Sequence, residues 1–189
     1  LRADSAQGDR KAAAILESAG AVVDCDGISY SQLQRTITEG GEYERSCSFD
    51  IDGSSMHGVD VDSRDIPDIV PILSIAAAKA DGVTRFLDAG RLRIKESDRL
   101  AAMADCLTRL GAAVEEKEEE LIVTGGSLKG GCEVSGYNDH RIVMSMAVAA
   151  LICEGPLIIR GAEAVSKSYP DFFDEYRRLG GRADVITDR

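Results

Sequence analysis

The chain has 189 residues, 44% of them hydrophobic, which suits one ordinary domain or one or two lobes with a filled apolar core. Its formal net charge of −11 argues against a nucleic-acid-binding surface, because a phosphate backbone needs a broad basic face. An anionic ligand must then be captured locally, by a few placed cations.

The chain opens at Leu1 inside an ordinary polar stretch, without a signal-peptide pattern, and this leads us to expect a processed or cut start. Residues 8 to 30, GDRKAAAILESAGAVVDCDGISY, carry Ala12, Ile15, Leu16 and Ala19 on one helical stripe that stops at Gly20. A strand and a turn around Asp26-Gly27 follow. The polar stretch from Thr36 to Ser48 reads as a loop or hairpin. Next comes SRDIPDIVPILSIAAAKADGVTRFL, a nearly all-apolar helix followed by a short strand, with Asp65 and Asp68 where an N-cap is wanted.

Residues 97 to 124 repeat the first plan. Leu100, Met103, Ala104, Leu107 and Leu110 form the stripe, Gly111 stops it, Ala113-Val114 opens a strand and Leu121-Ile122-Val123 supplies its partner. Residues 115 to 120 form a solvated turn. DHRIVMSMAVAALICEGPLIIR then repeats the apolar segment: aligning Gly155 with Gly82 places Arg141 on Asp68, a cation and an acid at equivalent helix starts. A truncated third copy runs from Pro170 through Phe172, Phe173 and Tyr176 to Leu179-Gly180. Helices apolar on all sides are buried ones, so the simplest packing puts these helices inside and small sheets outside. A conventional α/β layer and a ferredoxin-like split unit are the alternatives.

Cys25, Cys47, Cys106, Cys132 and Cys153 are odd in number and widely spaced, without a C-x-x-C pair. They indicate neither a disulfide framework nor a zinc site, and a reducing cytoplasm fits best. The longest apolar run, Ile142 to Cys153, is interrupted by Ser145 and too short to cross a bilayer. With only His57 and His140, a histidine-rich metal centre is excluded, and no G-x-x-x-x-G-K-[ST] or G-x-G-x-x-G nucleotide cradle occurs.

Four segments could carry chemistry. RIKESDRL, residues 93 to 100, reads as a helix start in which Ser97 or Asp98 caps, yet Arg93, Lys95 and Arg99 gather where the helix dipole disfavours cations. YNDHRI, residues 137 to 142, offers Asn138 or Asp139 as a cap and puts Arg141 in the first turn of an apolar helix. That Arg141 either joins the backbone N–H groups in holding a carboxylate or phosphate, or pairs with Asp139 at the surface. His140 reads as a packing residue beside it. Lys167 lies in a Ser-flanked turn before Pro170. Asp68 gains interest only if Lys95 and Glu96 are near it, since two carboxylates in unlike surroundings can divide acid and base duties.

The order IPD, R-x-KESDRL, YNDHR and K-S-x-PDFF, with QGD at residues 7 to 9, resembles the C-terminal part of the 5-enolpyruvylshikimate-3-phosphate synthase family over nearly the whole chain. The related enolpyruvyl transferase of peptidoglycan synthesis shares the fold but not this KESDR and DHR pairing. The resemblance implies an α/β (α+β) enolpyruvyl transferase-like lobe of repeated βαβαββ units. It implies transfer of the enolpyruvyl group of phosphoenolpyruvate to the 5-hydroxyl of shikimate 3-phosphate, releasing phosphate through a tetrahedral intermediate, with no metal and no organic cofactor.

By position, Asp68 matches the proton acceptor near the attacking hydroxyl. Lys95 matches the lysine on the shikimate substrate, and Glu96 the acid serving the phosphoenolpyruvate methylene. Arg99, Arg141 and Lys167 match the cations that bind phosphoenolpyruvate. The register gives Arg91 where the family often has an asparagine that contacts the shikimate moiety. The family enzyme has two similar lobes with substrates between them, so residues 1–189 are expected to form one lobe, truncated at its N-terminus, whose partner lobe is absent and which does not turn over alone. A non-catalytic binding domain of the same fold, or a transferase for another acceptor alcohol, are the competing readings.

Overall fold

The structure is a computed structural model that describes residues 8–41 and 48–186. After a short 3-10 turn, helix α1 (Lys11–Ser18) ends at Ala19, and Gly20 follows in the left-handed region (φ 90°). A Cβ on Gly20 would lie 2.7 Å from the His57 ring, so the turn needs glycine for space as well as for φ. Strand β1 (Val22–Cys25) pairs antiparallel with β2 (Ile28–Ser29) through the Asp26-Gly27 turn, where both residues have positive φ.

Helix α2 (Tyr30–Thr38) was not anticipated. It starts in a full capping box: Ser29 accepts from the Gln32 backbone N–H, and the Gln32 side chain accepts from the Ser29 N–H. The region from Thr36 is thus helical to Thr38 rather than loop throughout, and residues 42–47 of it lie outside the described residues. Strand β3 (Phe49–Asp52) pairs with β1 and completes a three-stranded sheet, β2-β1-β3. Ala21, Val23, Tyr30 and Leu33 form the small core beneath it. Cys25, in β1, is disulfide-bonded, a bond for which the cysteine count and spacing gave no sign.

The next unit is complete: β4 (Asp60–Asp62), α3 (Val70–Ala77), β5 (Val83–Leu87), α4 (Arg99–Arg109), β6 (Ala113–Glu116) and β7 (Leu121–Thr124). That is βαβαββ. β4 and β5 are parallel, and the hairpin β6–β7 returns antiparallel to β5, giving the order β4-β5-β7-β6. The third unit repeats its first half. β8 (Cys132–Ser135) and β9 (Leu157–Arg160) are parallel around α5 (His140–Ala150), and α6 (Phe172–Arg178) follows. Single parallel bridges, His57 to Asp81 and Leu128 to Cys153, precede the two parallel pairs at matching places, so the repeat read from the glycine alignment exists in three dimensions.

Helices α3, α4 and α5 pack against one another, and the sheets lie around them. Val70, Leu100, Met103, Leu107, Ile142 and Met146 come from all three helices and are fully buried in one cluster with Phe86, Leu121 and Val123 of the sheet. Each such side chain contributes about 1.5–3 kcal/mol of transfer free energy, which is why helix starts on this core are held firmly. Among the described residues no helix is long and apolar enough to cross a membrane. The turn after β6 carries acids on a solvent-facing side, where Lys117 is 2.8 Å from Glu120.

Candidate active site

The starts of α3, α4 and α5 converge, and Arg99 stands at the junction. Arg99 is the first residue of α4 and only 1% exposed, so its charge has to be met inside the protein. Its Nε donates to Asp139 at 2.8 Å and its Nη1 to Asp68 at 2.7 Å. Its Nη2 donates to Glu96. Asp68 and Glu96 therefore hang from the two arms of one guanidinium, each partly open to solvent. Burial opposes the charge on Arg99, but Asp139, Glu96 and Asp68 together outweigh it and raise its pKa.

Asp139 was read as a cap or as a surface partner of Arg141, and it is neither exposed nor bound to that guanidinium. It is fully buried, caps α5 by accepting the Arg141 backbone N–H at 2.9 Å, and accepts from the Ser97 hydroxyl at 3.0 Å. Burial pushes its carboxyl upward; Arg99 and the Arg141 N–H more than compensate, so the pKa is lowered. The sequence signal for this was Arg99 in the first turn of α4, where the helix dipole disfavours a cation.

The Asp68 expectation also changes. The N-cap of α3 is Ile69, with no side-chain cap, and Asp68 lies in the turn before it. Freed from capping, its carboxylate is 3.2 Å from Lys95 Nζ and 3.7 Å from Arg141 Nη2. The Arg141 Nη1 donates to the Asp68 backbone carbonyl at 2.9 Å, which ties the start of α5 to the turn before α3. Burial again favours the neutral acid, yet Lys95, Arg141 and Arg99 lower the Asp68 pKa. Asp65, the other cap candidate, is exposed and 3.3 Å from Lys11.

Of the remaining residues in RIKESDRL, Asp98 caps α4 by accepting the Ala101 N–H at 3.0 Å, while Ser97 turns inward to Asp139. Arg93 points away: it is 2.9 Å from both Asp98 and Glu116, and donates to the Lys117 and Glu118 carbonyls. It fastens the β6–β7 turn and takes no part in the site. Lys167, at the end of a 3-10 turn, donates to the side-chain and backbone oxygens of Asn138, the residue before Asp139. It thus reaches the α5 start through Asn138, and no direct bond joins it to Asp68, Lys95, Glu96, Arg99 or Arg141. Tyr137 and Asn138 both adopt positive φ (51° and 54°), a conformation that costs on the order of 1–3 kcal/mol per residue where the surroundings impose it.

A cleft of about 440 Å3 opens on this junction, lined by Gly8, Asp65 to Asp68, Arg91, Lys95 and Arg141. Gly8, from the early QGD, is pressed so closely on this wall that a Cβ would lie 2.4 Å from the Asp65 carbonyl oxygen. The lining combines one lowered-pKa carboxylate with several cations, an arrangement that can hold an anion beside a proton acceptor.

A family model described as EPSP synthase (3-phosphoshikimate 1-carboxyvinyltransferase) matches residues 1–176. A 3-phosphoshikimate 1-carboxyvinyltransferase of Clostridium acetobutylicum is 45% identical over 186 residues, covering 93% of this chain and 43% of the relative. One from Halobacterium salinarum is 42% identical over 181 residues, covering 95% and 38%. The solved EPSP synthase of Acinetobacter baumannii superposes with a TM-score of 0.76 at 31% identity, over 92% of this chain and 39% of that one. An enolpyruvyl transferase of Streptomyces tendae shares the fold at 18% identity, with a TM-score of 0.67 over 89% of this chain and 34% of that one. The chain spans about four tenths of the length of the relatives it matches.

Proposed function

The chain belongs to the EPSP synthase family, and from that premise we propose that it supplies one lobe of an enzyme that transfers the enolpyruvyl group of phosphoenolpyruvate to the 5-hydroxyl of shikimate 3-phosphate. Residues 1–189 form the lobe, and a second lobe of the same protein closes over the cleft and supplies further acceptor contacts. The reaction serves aromatic amino-acid biosynthesis in the cytoplasm. The observation that supports this reading most directly is the pair of acids, Asp68 and Glu96, held on the two arms of Arg99, with Asp68 itself lining a cleft that Arg91, Lys95 and Arg141 also line.

In this reading the acceptor hydroxyl lies at Asp68 and Lys95, and phosphoenolpyruvate lies at Arg141, Lys167 and Arg99. Arg141 is the best placed of these cations, because its guanidinium is partly open and lines the cleft. Arg99 meets a ligand only by exchanging Asp68 or Glu96, since its donors are committed and it is buried. The hydroxyl oxygen bonds to C2 of phosphoenolpyruvate as its proton passes to Asp68, and the methylene carbon gains a proton from Glu96. The tetrahedral adduct then returns a methyl proton to Glu96 and expels phosphate, which takes up the proton held on Asp68 and leaves as hydrogen phosphate, restoring the vinyl group and both acids to their starting states. Arg141 and Lys167 offset the negative charge that gathers on the leaving phosphate.

A carboxylate whose pKa is held down by three cations is a poor base, and the substrates resolve this. Anionic groups that engage Lys95, Arg141 and Arg99 draw these charges from Asp68 and raise its proton affinity once both substrates are bound. The test is phosphate release from the two substrates. The 189-residue chain alone is expected to release none, and adding the partner lobe is expected to restore release; turnover by the isolated chain would remove the two-lobe reading. With the complete protein, mass spectrometry of the product decides between shikimate 3-phosphate and another acceptor alcohol.

A further inference from the structure

The two lysines assigned to the substrates are held in different ways. Lys95 is 3.2 Å from the Asp68 carboxylate, so an anion that reaches it must displace an acid. Lys167 has no carboxylate within ion-pair distance among the described residues, and both oxygens that accept from its Nζ belong to Asn138. One is the backbone carbonyl and the other is the side-chain Oδ1, at 2.7 Å. Neutral oxygens fix the direction of an ammonium without cancelling its charge, and two acceptors leave the third N–H donor for a ligand.

The turn that presents these oxygens is fixed on both sides. Tyr137 and Asn138 lie in the left-handed region (φ 51° and 54°), and the Asp139 N–H donates to the Gly136 carbonyl at 2.9 Å to close the turn. A Cβ on Gly136 would lie 2.5 Å from a Val143 methyl, so the turn is pressed onto α5. The 3-10 turn that ends at Lys167 packs on the same helix, with Ala164 and Val165 buried beside Val143. Lysine and acceptor are thus both anchored to α5. Few residue types suit position 138, since glycine, asparagine and aspartate adopt positive φ with least strain. Glycine would lack the second oxygen, and aspartate would neutralise the lysine. Asparagine alone combines the conformation, the second acceptor and the uncancelled charge.

We propose that Asn138 is a positioning residue for phosphoenolpyruvate. It aims the Lys167 ammonium from the start of α5, the helix end that also carries Arg141, and leaves that charge free for the anionic groups of the substrate. The inference rests on the functional reading above, because it takes phosphoenolpyruvate as the anion that Lys167 meets.

The test compares the complete two-lobe protein with two variants. Asn138→Gly keeps the positive φ and the backbone carbonyl, while Asn138→Asp keeps the shape and adds a charge. Loss of one hydrogen bond to a charged group, with the carbonyl still in place, should lower kcat/KM for phosphoenolpyruvate about three- to tenfold in Asn138→Gly. In Asn138→Asp the fall should be about tenfold or more, with a weaker salt dependence, because Lys167 enters an ion pair. Equilibrium binding of shikimate 3-phosphate should be the same in all three proteins. Asn138→Gly should also add little to the loss caused by Lys167→Ala, since an aiming group has no effect once the group it aims is gone, whereas a purely structural role gives the same loss in either background. Unchanged kcat/KM in Asn138→Asp, a parallel loss of shikimate 3-phosphate affinity, or an equal Asn138→Gly loss with and without Lys167 overturns the assignment. A wild-type protein that forms no product from phosphoenolpyruvate and shikimate 3-phosphate overturns the functional reading and this inference with it, whereas a productive enzyme indifferent to Asn138→Asp overturns the inference alone.

Discussion

Arg99 and Asp139 form an ion pair at 2.8 Å in which neither side chain is more than 1% exposed. The two residues begin different helices, so the pair fastens the start of α4 to the start of α5. Breaking a buried pair from one side strands the other charge, at a cost of about 3–5 kcal/mol. Asp139→Ala should lose that much stability in urea unfolding, and it also removes the α5 cap and the Ser97 acceptor. Asp139→Asn keeps a polar cap and should cost less. An Asp139→Ala protein within about 1 kcal/mol of wild type would show that Asp68 and Glu96 suffice to balance Arg99.

Asp68 sits lower in pKa than an ordinary carboxyl because Lys95, Arg141 and Arg99 outweigh its burial. The ionised form is the proposed base, so activity is present above its pKa and falls as pH drops through it. In kcat/KM, which reports the free enzyme, this acid limb should lie below 3.8, the unperturbed value, to the extent the protein stays folded. In kcat it should move to higher pH, because bound substrates occupy the cations. Asp68→Asn in the complete protein should reduce kcat by about 10²- to 10⁴-fold. Coincident acid limbs in kcat and kcat/KM would contradict the exchange of cations between Asp68 and substrate.

Much of this architecture was legible in the chain because apolar periodicity and glycine stops are local signals. The Leu100–Leu110 stripe, the Asp26-Gly27 turn and the Gly82/Gly155 alignment each appear as read, and the structure adds that the strands flanking the two aligned helices, β4–β5 and β8–β9, pair in parallel. Helix α2 was missed although Ser29 and Gln32 stand at capping-box spacing and Tyr30, Leu33 and Ile37 share one face, since a three-residue apolar stripe in a short, otherwise polar segment is a weak signal. The roles of acids at helix starts were the least legible. Asp68, Asp98 and Asp139 carry the same local signal, yet only Asp98 and Asp139 cap, and only contacts 31 and 40 residues away show that Arg99 claims Asp68 and Asp139 besides its neighbour Glu96. Arg93 and Lys95 are two residues apart and face opposite tasks, a distinction made by the position of the β6–β7 turn.

Acid stability follows from the same pair. The pKa of Asp139 is lowered in the folded protein by Arg99 and the Arg141 N–H against the opposing effect of burial. An acid of this kind contributes stability that is complete above its unfolded value, near 3.8, and is lost as pH falls through the lower folded value. Unfolding free energy should therefore hold from neutral pH to about 5 as far as this group is concerned, and decline below 4. Asp139→Asn removes the titrating group, so the difference between wild type and variant should shrink as pH falls. A difference that stays constant from pH 7 to pH 3 would mean that Asp139 does not titrate with unfolding.

Cys106 reports on whether the helix that carries Arg99 ever lifts. It lies in α4, is fully buried, and donates to the Ser135 carbonyl of β8 at 3.6 Å. Burial pushes its thiol up to about 12, with nearby Asp105 acting in the same direction. At pH 8 the thiol is therefore protonated and unreactive, and it is sealed in the core. Alkylation of the native chain should modify the partly exposed Cys132 and Cys153 first and reach Cys106 only when α4 separates from β8. Because Asp139 anchors the start of that helix, Asp139→Ala should speed Cys106 labelling, read by peptide mass mapping, more than it speeds labelling of Cys153. Equal acceleration at both thiols would place the loss in the whole fold, and no acceleration would show that α4 is held by its apolar stripe without help from the buried pair.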